Sequence, residues 1–381
     1  MSAEQIFTNA QIILGEEVIQ GTVYIKDGYI AGIDHGNVSL PSAIDMNGNY
    51  LMPGLVELHT DNLDKHMTPR PSVTWPSLPA MISHDNQIAS AGITTVFDSI
   101  SIGDITPRSA RLANLKPMLE TLDYSQEHDL TRVEHKMHLR CEVAHPETFS
   151  VFSDNVKNKH VGLVSLMDHS PGQRQFQEVE HYRVYYQVKY GLTYSEMLEY
   201  EESQLKNAKL FSHQHRSDIA NYCRTNNIVM ASHDDATESH ALESYELGMK
   251  IAEFPTTEAA AKCSTLNNMH VLMGAPNVVR GGSHSGNVAA SQLAKKDLLH
   301  ILSSDYYPTS LLHAAFLLTE DDIGYDLAKA VRCVSKNPAE AVNLHDRGEI
   351  AIGKKADLLQ VVMHGHQPLV QAVWKSGRRV I

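Results

Sequence analysis

Eight short apolar runs, each ending abruptly in polar residues, constrain this chain more than any other feature. They are "GLVELHTD", "GITTVFDSIS", "KMHLRCEVAH", "VGLVSLMDHS", "NIVMASHDD", "KIAEFPTT", "HVLMGAPN" and "LHILSSDYY", spread between Gly54 and about Leu344. Most are followed by a stretch of helical spacing. A strand–helix alternation repeated eight times predicts an α/β fold, a (β/α)8 TIM-like barrel, with the working residues at the C-terminal ends of the strands. An open doubly wound sheet is the alternative. The recurrence of polar tips on nearly every run favours the barrel.

The two ends of the chain have a different texture. "QIFTNAQIIL", "GTVYIKDGYIAGID" and "AIDMNGNYLM" alternate apolar with polar residues, punctuated by Asp27-Gly28 and Asn47-Gly48. Those dipeptides are hairpin signals. "GEIAIGKKADLLQVV" and "PLVQAVWKSGRRVI" repeat the pattern at the C-terminus. The expected organisation is a small β-sandwich domain built from residues 1–53 and 346–381, with a metal-dependent barrel inserted over residues 54–345. The link between the fourth and fifth runs is long. Tyrosines and leucines recur on its helical faces, so a helical excursion around residues 175–228 is expected on the barrel rim. Whether it caps the site stays open.

Composition narrows the function. Of 381 residues, 42% are hydrophobic and 20% charged, as in a globular protein. A net charge of −13 argues against nucleic-acid binding, which needs an extended basic face. A phosphorylated substrate remains compatible, because a few arginines and divalent ions invert the field in one cleft. The 22 histidines incline toward metal or acid–base chemistry. Cys141, Cys223, Cys263 and Cys333 are scattered without a CxxC pair and read as reduced thiols. No run has membrane-spanning length and no signal peptide is evident, so no membrane partner and a cytoplasmic location are expected.

The strand tips can be read as one constellation. His59 and Asp61 stand two apart, on one face of a strand. Glu142, His169, His233 and Asp305 end the third, fourth, fifth and eighth runs. This inventory suits two divalent ions. The expected assignment gives His59, Asp61 and Asp305 to one ion, His169 and His233 to the other, and Glu142 as the bridge. Asp305 is also expected to act as general base toward water, which with Glu142 completes the catalytic pair. Asp168, Asp234 and Asp235 read as helix caps, while His84, His138 and His145 are secondary candidates. A second constellation is anion-directed. "RGGSHSGN" offers Arg280, Ser283, His284 and Asn287 on a glycine-rich backbone that approaches an anion closely. Lys65, His66, Arg70, Arg108, Arg140 and Arg174 lie at strand tips or in the loops after them, and the arginine fork suits phosphate oxygens.

At this point the residues resemble a known family. "PGLVELHTDN", the split β domain and "GEIAIGKKADLL" are similar to the amidohydrolase superfamily. "HTDNLDKHMTPRP", "LVSLMDHSPGQRQF", "ASHDDAT", "AEFPTT", "MGAPNVVRGGSHSGNVAAS" and "LSSDYYPTSLL" resemble its phosphonate-metabolism diphosphatases. The resemblance covers essentially the whole chain. It implies hydrolysis of a ribose 1-methylphosphonate 5-triphosphate to the 5-phosphate and pyrophosphate, and so a functional link to the carbon–phosphorus lyase pathway. Histidine and carboxylate donors accept zinc, manganese or iron, and zinc is the expected ion of the pair. A homo-oligomer is a further expectation.

The chain departs from the wider superfamily at two points. His59-Thr60-Asp61 stands where HxH is usual, and Met167-Asp168-His169 holds no bridging lysine. The bridge is therefore moved to Glu142. A deaminase or N-acyl hydrolase on the same scaffold is the first rival; its less charged substrate needs fewer arginines. A non-catalytic binding subunit is the second, and it should have lost metal ligands.

Overall fold

The computed structural model describes residues 4–70, 73–103, 111–174, 179–283 and 286–381. Arg108 and His284 lie outside the described residues. The eight apolar runs form eight parallel strands in chain order: β1 (Leu55–Thr60), β2 (Ile93–Ile102), β3 (Glu134–Glu142), β4 (Val161–Met167), β5 (Val229–His233), β6 (Ile251–Glu253), β7 (His270–Gly274) and β8 (Ile301–Ser303). Every residue of β1 is buried, as expected for a parallel strand covered on both faces. One apolar cluster, with Val56, Leu58, Phe97, Leu163, Ala231, Ile251, Leu272 and Ile301, draws together strands from β1 to β8. Strands on opposite sides of a sheet meet this way only if the sheet curls round on itself.

The curl closes between β1 and β8. Thr60 and Asp305 form a parallel bridge. The Asp305 N–H donates to the His59 carbonyl and the Asp61 N–H to the Asp305 carbonyl, both at 3.1 Å. The fully buried Glu57 carboxylate spans the same seam, accepting the His59 N–H at 2.7 Å and the Ser304 N–H at 2.6 Å.

The chain ends build a separate sheet. Tyr50–Pro53 pairs antiparallel with Leu358–His364, which joins N-terminal to C-terminal strands. Asp27 (φ 53°) and Gly28 (φ 83°) make the left-handed two-residue turn that a hairpin requires between Val18–Lys26 and Tyr29–His35. Asn47 (φ 55°) and Gly48 (φ 72°) make a similar turn without making a hairpin. The strands on either side, Ile44–Asp45 and Tyr50–Pro53, both run parallel to Glu4–Ile13, taking successive stretches of it. A dipeptide determines the turn; the sheet chooses the partners.

The helices that bear on the barrel mouth are α1 (Asn62–Met67), α2 (Ser77–Ser90), α3 (Val179–Tyr190), α4 (Tyr194–Asn207) and α5 (His213–Thr225). The last three make up the excursion, with a π-helical turn over Ala208–Ser212 between α4 and α5. α4 starts on a capping box in which Thr193 and Glu196 satisfy each other's backbone N–H. Tyr182, Tyr186 and Met197 bury themselves between α3 and α4. No described helix is long and apolar enough to cross a membrane.

Gly54 joins the small sheet to β1. A Cβ there would lie 2.2 Å from Thr94 Oγ1 and 2.6 Å from its Cγ2. Thr94 is only 1% exposed and has nowhere to move. Gly54→Ala is therefore expected to cost about 1–3 kcal/mol, read as a lowered denaturation midpoint. An unchanged midpoint would show that the two sheets are not held this tightly.

Candidate metal centre

The strand tips place histidines and carboxylates in a continuous line. Glu253, at the end of β6, stands between two imidazoles: Oε1 is 3.1 Å from His59 Nδ1 and Oε2 is 3.2 Å from His233 Nδ1. His138 Nε2 is 3.9 Å from the same carboxylate. His233 Nε2 and His169 Nε2 converge on Asp234 Oδ2, at 3.6 and 3.8 Å. Two groups of potential ligands result, His59–His138–Glu253 and His169–His233–Asp234. Two atoms bound to one zinc ion lie roughly 3.3–3.6 Å apart, given bond lengths near 2.0–2.2 Å. The separations around Glu253 and Asp234 bracket that range.

Glu142 stands differently. Its Oε2 is 2.6 Å from His169 Nδ1 and its Oε1 accepts the His169 N–H at 3.1 Å. The first distance is that of a hydrogen bond, not of two ligands sharing an ion. It orients the ring so that Nε2 faces Asp234.

The expected pair His169 and His233 thus meets, with ring centroids 5.7 Å apart. His59 joins them from the other side, also 5.7 Å from His233. Asp61 and Asp305 lie beside this line. Arg140 Nη1 donates to Asp61 Oδ1 at 2.6 Å.

Electrostatics favour a cation here. Burial pushes His233 and His138 down to about 3, so both rings are neutral and keep a lone pair. Burial would also lower His169, but the Glu142 charge overrides it and the ring's pKa rises. Burial lifts Asp234 to about 6, Glu57 to about 7 and, reinforced by the Asp61 charge, Asp305 to about 7. Crowded carboxylates with raised pKa values are relieved by a divalent ion. The donor set fits one or two such ions.

Asp234 (φ 56°), Phe254 (φ 53°) and Asp305 (φ 54°) all adopt the left-handed conformation just beyond β5, β6 and β8. Aspartate tolerates it; for phenylalanine it is strained and marks a functional position. The Phe254 ring packs edge-on against His59 and His233, with centroids 5.0 and 5.5 Å away.

Glu253, Asp234 and Phe254 were not read from the sequence as site residues. The signal for Glu253 was present, a lone acid at the end of the apolar "KIAEF". Asp235 and Asp168 are not helix caps. Asp235 pairs with Arg174, Asp168 Oδ2 lies 3.3 Å from Arg216, and Thr237 caps the helix after β5.

The anion-directed residues separate into two sets. Arg140 and Arg174 are buried and already engaged, Arg140 with Asp61 and Arg174 with Asp235 and Glu243. Lys65 is exposed at the mouth. Its Nζ donates to the Tyr306 carbonyl at 2.6 Å, and its pKa is lowered by burial against the pull of Asp305 and Asp61. His66 Nε2 is 2.9 Å from Gln87 Oε1. Arg70 and Arg280 are exposed, and Ser283 and Asn287 half-buried.

Residues 201–381 match the model of the Amidohydrolase family. Over 376 residues the chain is 51% identical to the alpha-D-ribose 1-methylphosphonate 5-triphosphate diphosphatase of Escherichia coli (strain K12), covering 98% of this chain and 100% of that protein. The chain belongs to the amidohydrolase family. Solved structures share its fold at much lower identity. The 5-methylcytosine deaminase from Klebsiella pneumoniae liganded with 5-fluorocytosine has a TM-score of 0.66 at 14% identity, over 99% of this chain and 97% of that one. The N-acetylglucosamine-6-phosphate deacetylase from Pasteurella multocida has a TM-score of 0.62 at 13% identity, over 99% and 100%.

A third group, His84–Asp98–His135, lies behind the mouth between α2, β2 and β3, fully buried. Burial alone would lower His135, but Asp98 and Asp85 override it and hold it up at about 9. A raised pKa means the folded state binds the proton more tightly. This stabilisation is complete below the unfolded value near 6.5 and is lost as pH rises through about 9.

Two outcomes test these assignments. The unfolding free energy should fall between pH 6.5 and 9 by up to on the order of 3 kcal/mol, and His135→Gln should flatten that slope. Glu253→Gln should weaken zinc binding by ~10–100-fold in competition with a chelator. Unaltered affinity would remove Glu253 from the metal centre.

Proposed function

We infer that this chain hydrolyses alpha-D-ribose 1-methylphosphonate 5-triphosphate, releasing pyrophosphate and leaving the 5-phosphate, with one or two divalent ions held at the barrel mouth. The observation that carries this reading is the 51% identity, end to end, with an enzyme of that name. It also favours a diphosphatase over a deaminase, since the deaminases match at 24% identity or less, in one case over only 58% of the relative's length. His59, His233, His169, Glu253 and Asp234 would hold the ions, with Asp61 and Asp305 at their edge. The links to the carbon–phosphorus lyase pathway and to zinc belong to the same reading.

A divalent ion, when bound, supplies Lewis acidity at a phosphoryl oxygen and makes a coordinated water more acidic. The protein's own groups do the rest. Asp305, buried on the seam beside Asp61, is placed to take a proton from the attacking water. Glu142 orients His169 rather than bridging. Phe254 walls the imidazoles from bulk water, which strengthens every charge interaction beside it. Lys65 at the mouth meets the negative charge of the triphosphate, and Arg70 and Arg280 extend that positive rim. Arg140 neutralises Asp61, so the acidic site does not repel the anionic substrate outright.

Phosphorus NMR tests the reading. Pyrophosphate and the 5-phosphate should appear on incubation with the triphosphate and should not appear in the presence of a chelator. Asp305→Asn should lower turnover by roughly 10²–10⁴-fold with metal content retained. An unchanged spectrum from metal-loaded protein would overturn the assignment.

A further inference from the structure

The buried His84–Asp98–His135 group stands away from the residues placed around the substrate, yet hydrogen bonds connect it to Asn62 beside the metal centre. Asp98 Oδ1 is 2.6 Å from His84 Nε2 and its Oδ2 is 2.7 Å from His135 Nδ1. Both are hydrogen-bond lengths, well short of the ~3.3 Å that separates two ligands of one zinc ion. The group is therefore a hydrogen-bonded chain, not a second metal site.

Its donors and acceptors can be assigned without conflict. Asp85 Oδ1 accepts the N–H groups of Arg132 at 2.8 Å and Val133 at 3.1 Å, and faces His135 Nε2 at 3.4 Å. A doubly protonated His135 thus donates to a carboxylate on each side. Asp98 then accepts from His84 Nε2–H, which leaves His84 Nδ1 bare. The Asn62 amide donates to that nitrogen at 3.0 Å and to Gln87 Oε1 at 2.9 Å. Gln87 Oε1 also accepts from His66 Nε2. Each member fixes the orientation of the next.

Asn62 is where this chain reaches the reaction. It follows Asp61 directly and opens α1, the helix that carries Lys65 and His66. The Asn62 N–H donates to Thr60 Oγ1 at 3.3 Å, and that hydroxyl donates to the Asp305 carbonyl at 2.9 Å. One residue is therefore tied to the barrel seam through its backbone and to His84 through its side chain.

We propose that Asp98, His84 and Asn62 form a positioning relay that sets α1, and with it Asp61 and Lys65, against the barrel seam for the transfer step. The proposal rests on the diphosphatase reading for the reaction it serves, and on the hydrogen-bond chain for its existence. None of the three residues touches the substrate; they act through Asp61 and Lys65.

The test pairs kinetics with nitrogen NMR of histidine-labelled, metal-loaded protein. Wild type should show His84 protonated at Nε2 with Nδ1 as acceptor. Asn62→Ala should move the Nδ1 resonance and lower kcat by ~10–100-fold, with KM changed less than about threefold, at a temperature where circular dichroism shows the variant folded. His84→Gln, a second variant should Asn62→Ala fold poorly, should lower kcat in the same direction. Wild-type kcat per folded molecule in either variant would overturn the relay, as would an Nδ1-protonated His84. If wild type itself releases no pyrophosphate, the functional reading falls instead, and the NMR result alone decides whether the relay exists.

Discussion

The seam between the first and last strands is the constraint on which the rest depends. Its strand pairing is sparse, a single bridge at Thr60 and Asp305 with a few backbone hydrogen bonds. The Glu57 carboxylate takes up the slack by accepting one N–H from each side. Two backbone N–H groups that would otherwise be buried without partners are satisfied, and each would cost about 1–3 kcal/mol if left alone. Because His59, Asp61 and Asp305 sit on this seam, closing the barrel and assembling the site are one event. A looser seam would spread the ligands before it unfolded the protein.

Charge is the second theme. The mouth gathers Glu57, Asp61, Glu142, Asp234, Glu253 and Asp305 within a net-negative chain. Some of that charge is neutralised inside the fold by Arg140 on Asp61, and Glu142 is held by a hydrogen bond from His169. The remainder appears as raised pKa values at Asp234 and Asp305, where burial outweighs the nearby His169, Arg140, Arg174 and Lys65. An ion-binding site and a proton acceptor near neutrality thus share one cause, carboxylates confined together in a medium that solvates them poorly. The buried arginines serve the protein's own acids, which leaves Lys65 and exposed arginines to face an anionic substrate.

The barrel and the split sheet were legible because their signals are local and repeated. Eight apolar runs ending in polar tips require strands whose ends face one way, and Asp27-Gly28 has few alternatives to a left-handed turn. Strand-tip position also singled out His59, His169, His233 and Asp305, since a histidine or acid ending a buried run is costly unless it meets something there. What stayed hidden depends on approach across the barrel. His59 and Glu253 are 194 positions apart, and no local pattern reports that their side chains meet. Asp234 looked like a helix cap because its neighbours fit that role; the left-handed turn aims it at two imidazoles instead.

The sequence by itself determined the fold class, the end of the barrel that works and the chemical character of its residues, because those follow from hydrophobic periodicity and from which side chains carry lone pairs and charge. Only the tertiary structure decided which acid faces which histidine, which arginines are already occupied and how α1 is held. Those depend on distances of a few ångströms between strands far apart in the chain, set by how the barrel closes and by side chains packing behind it.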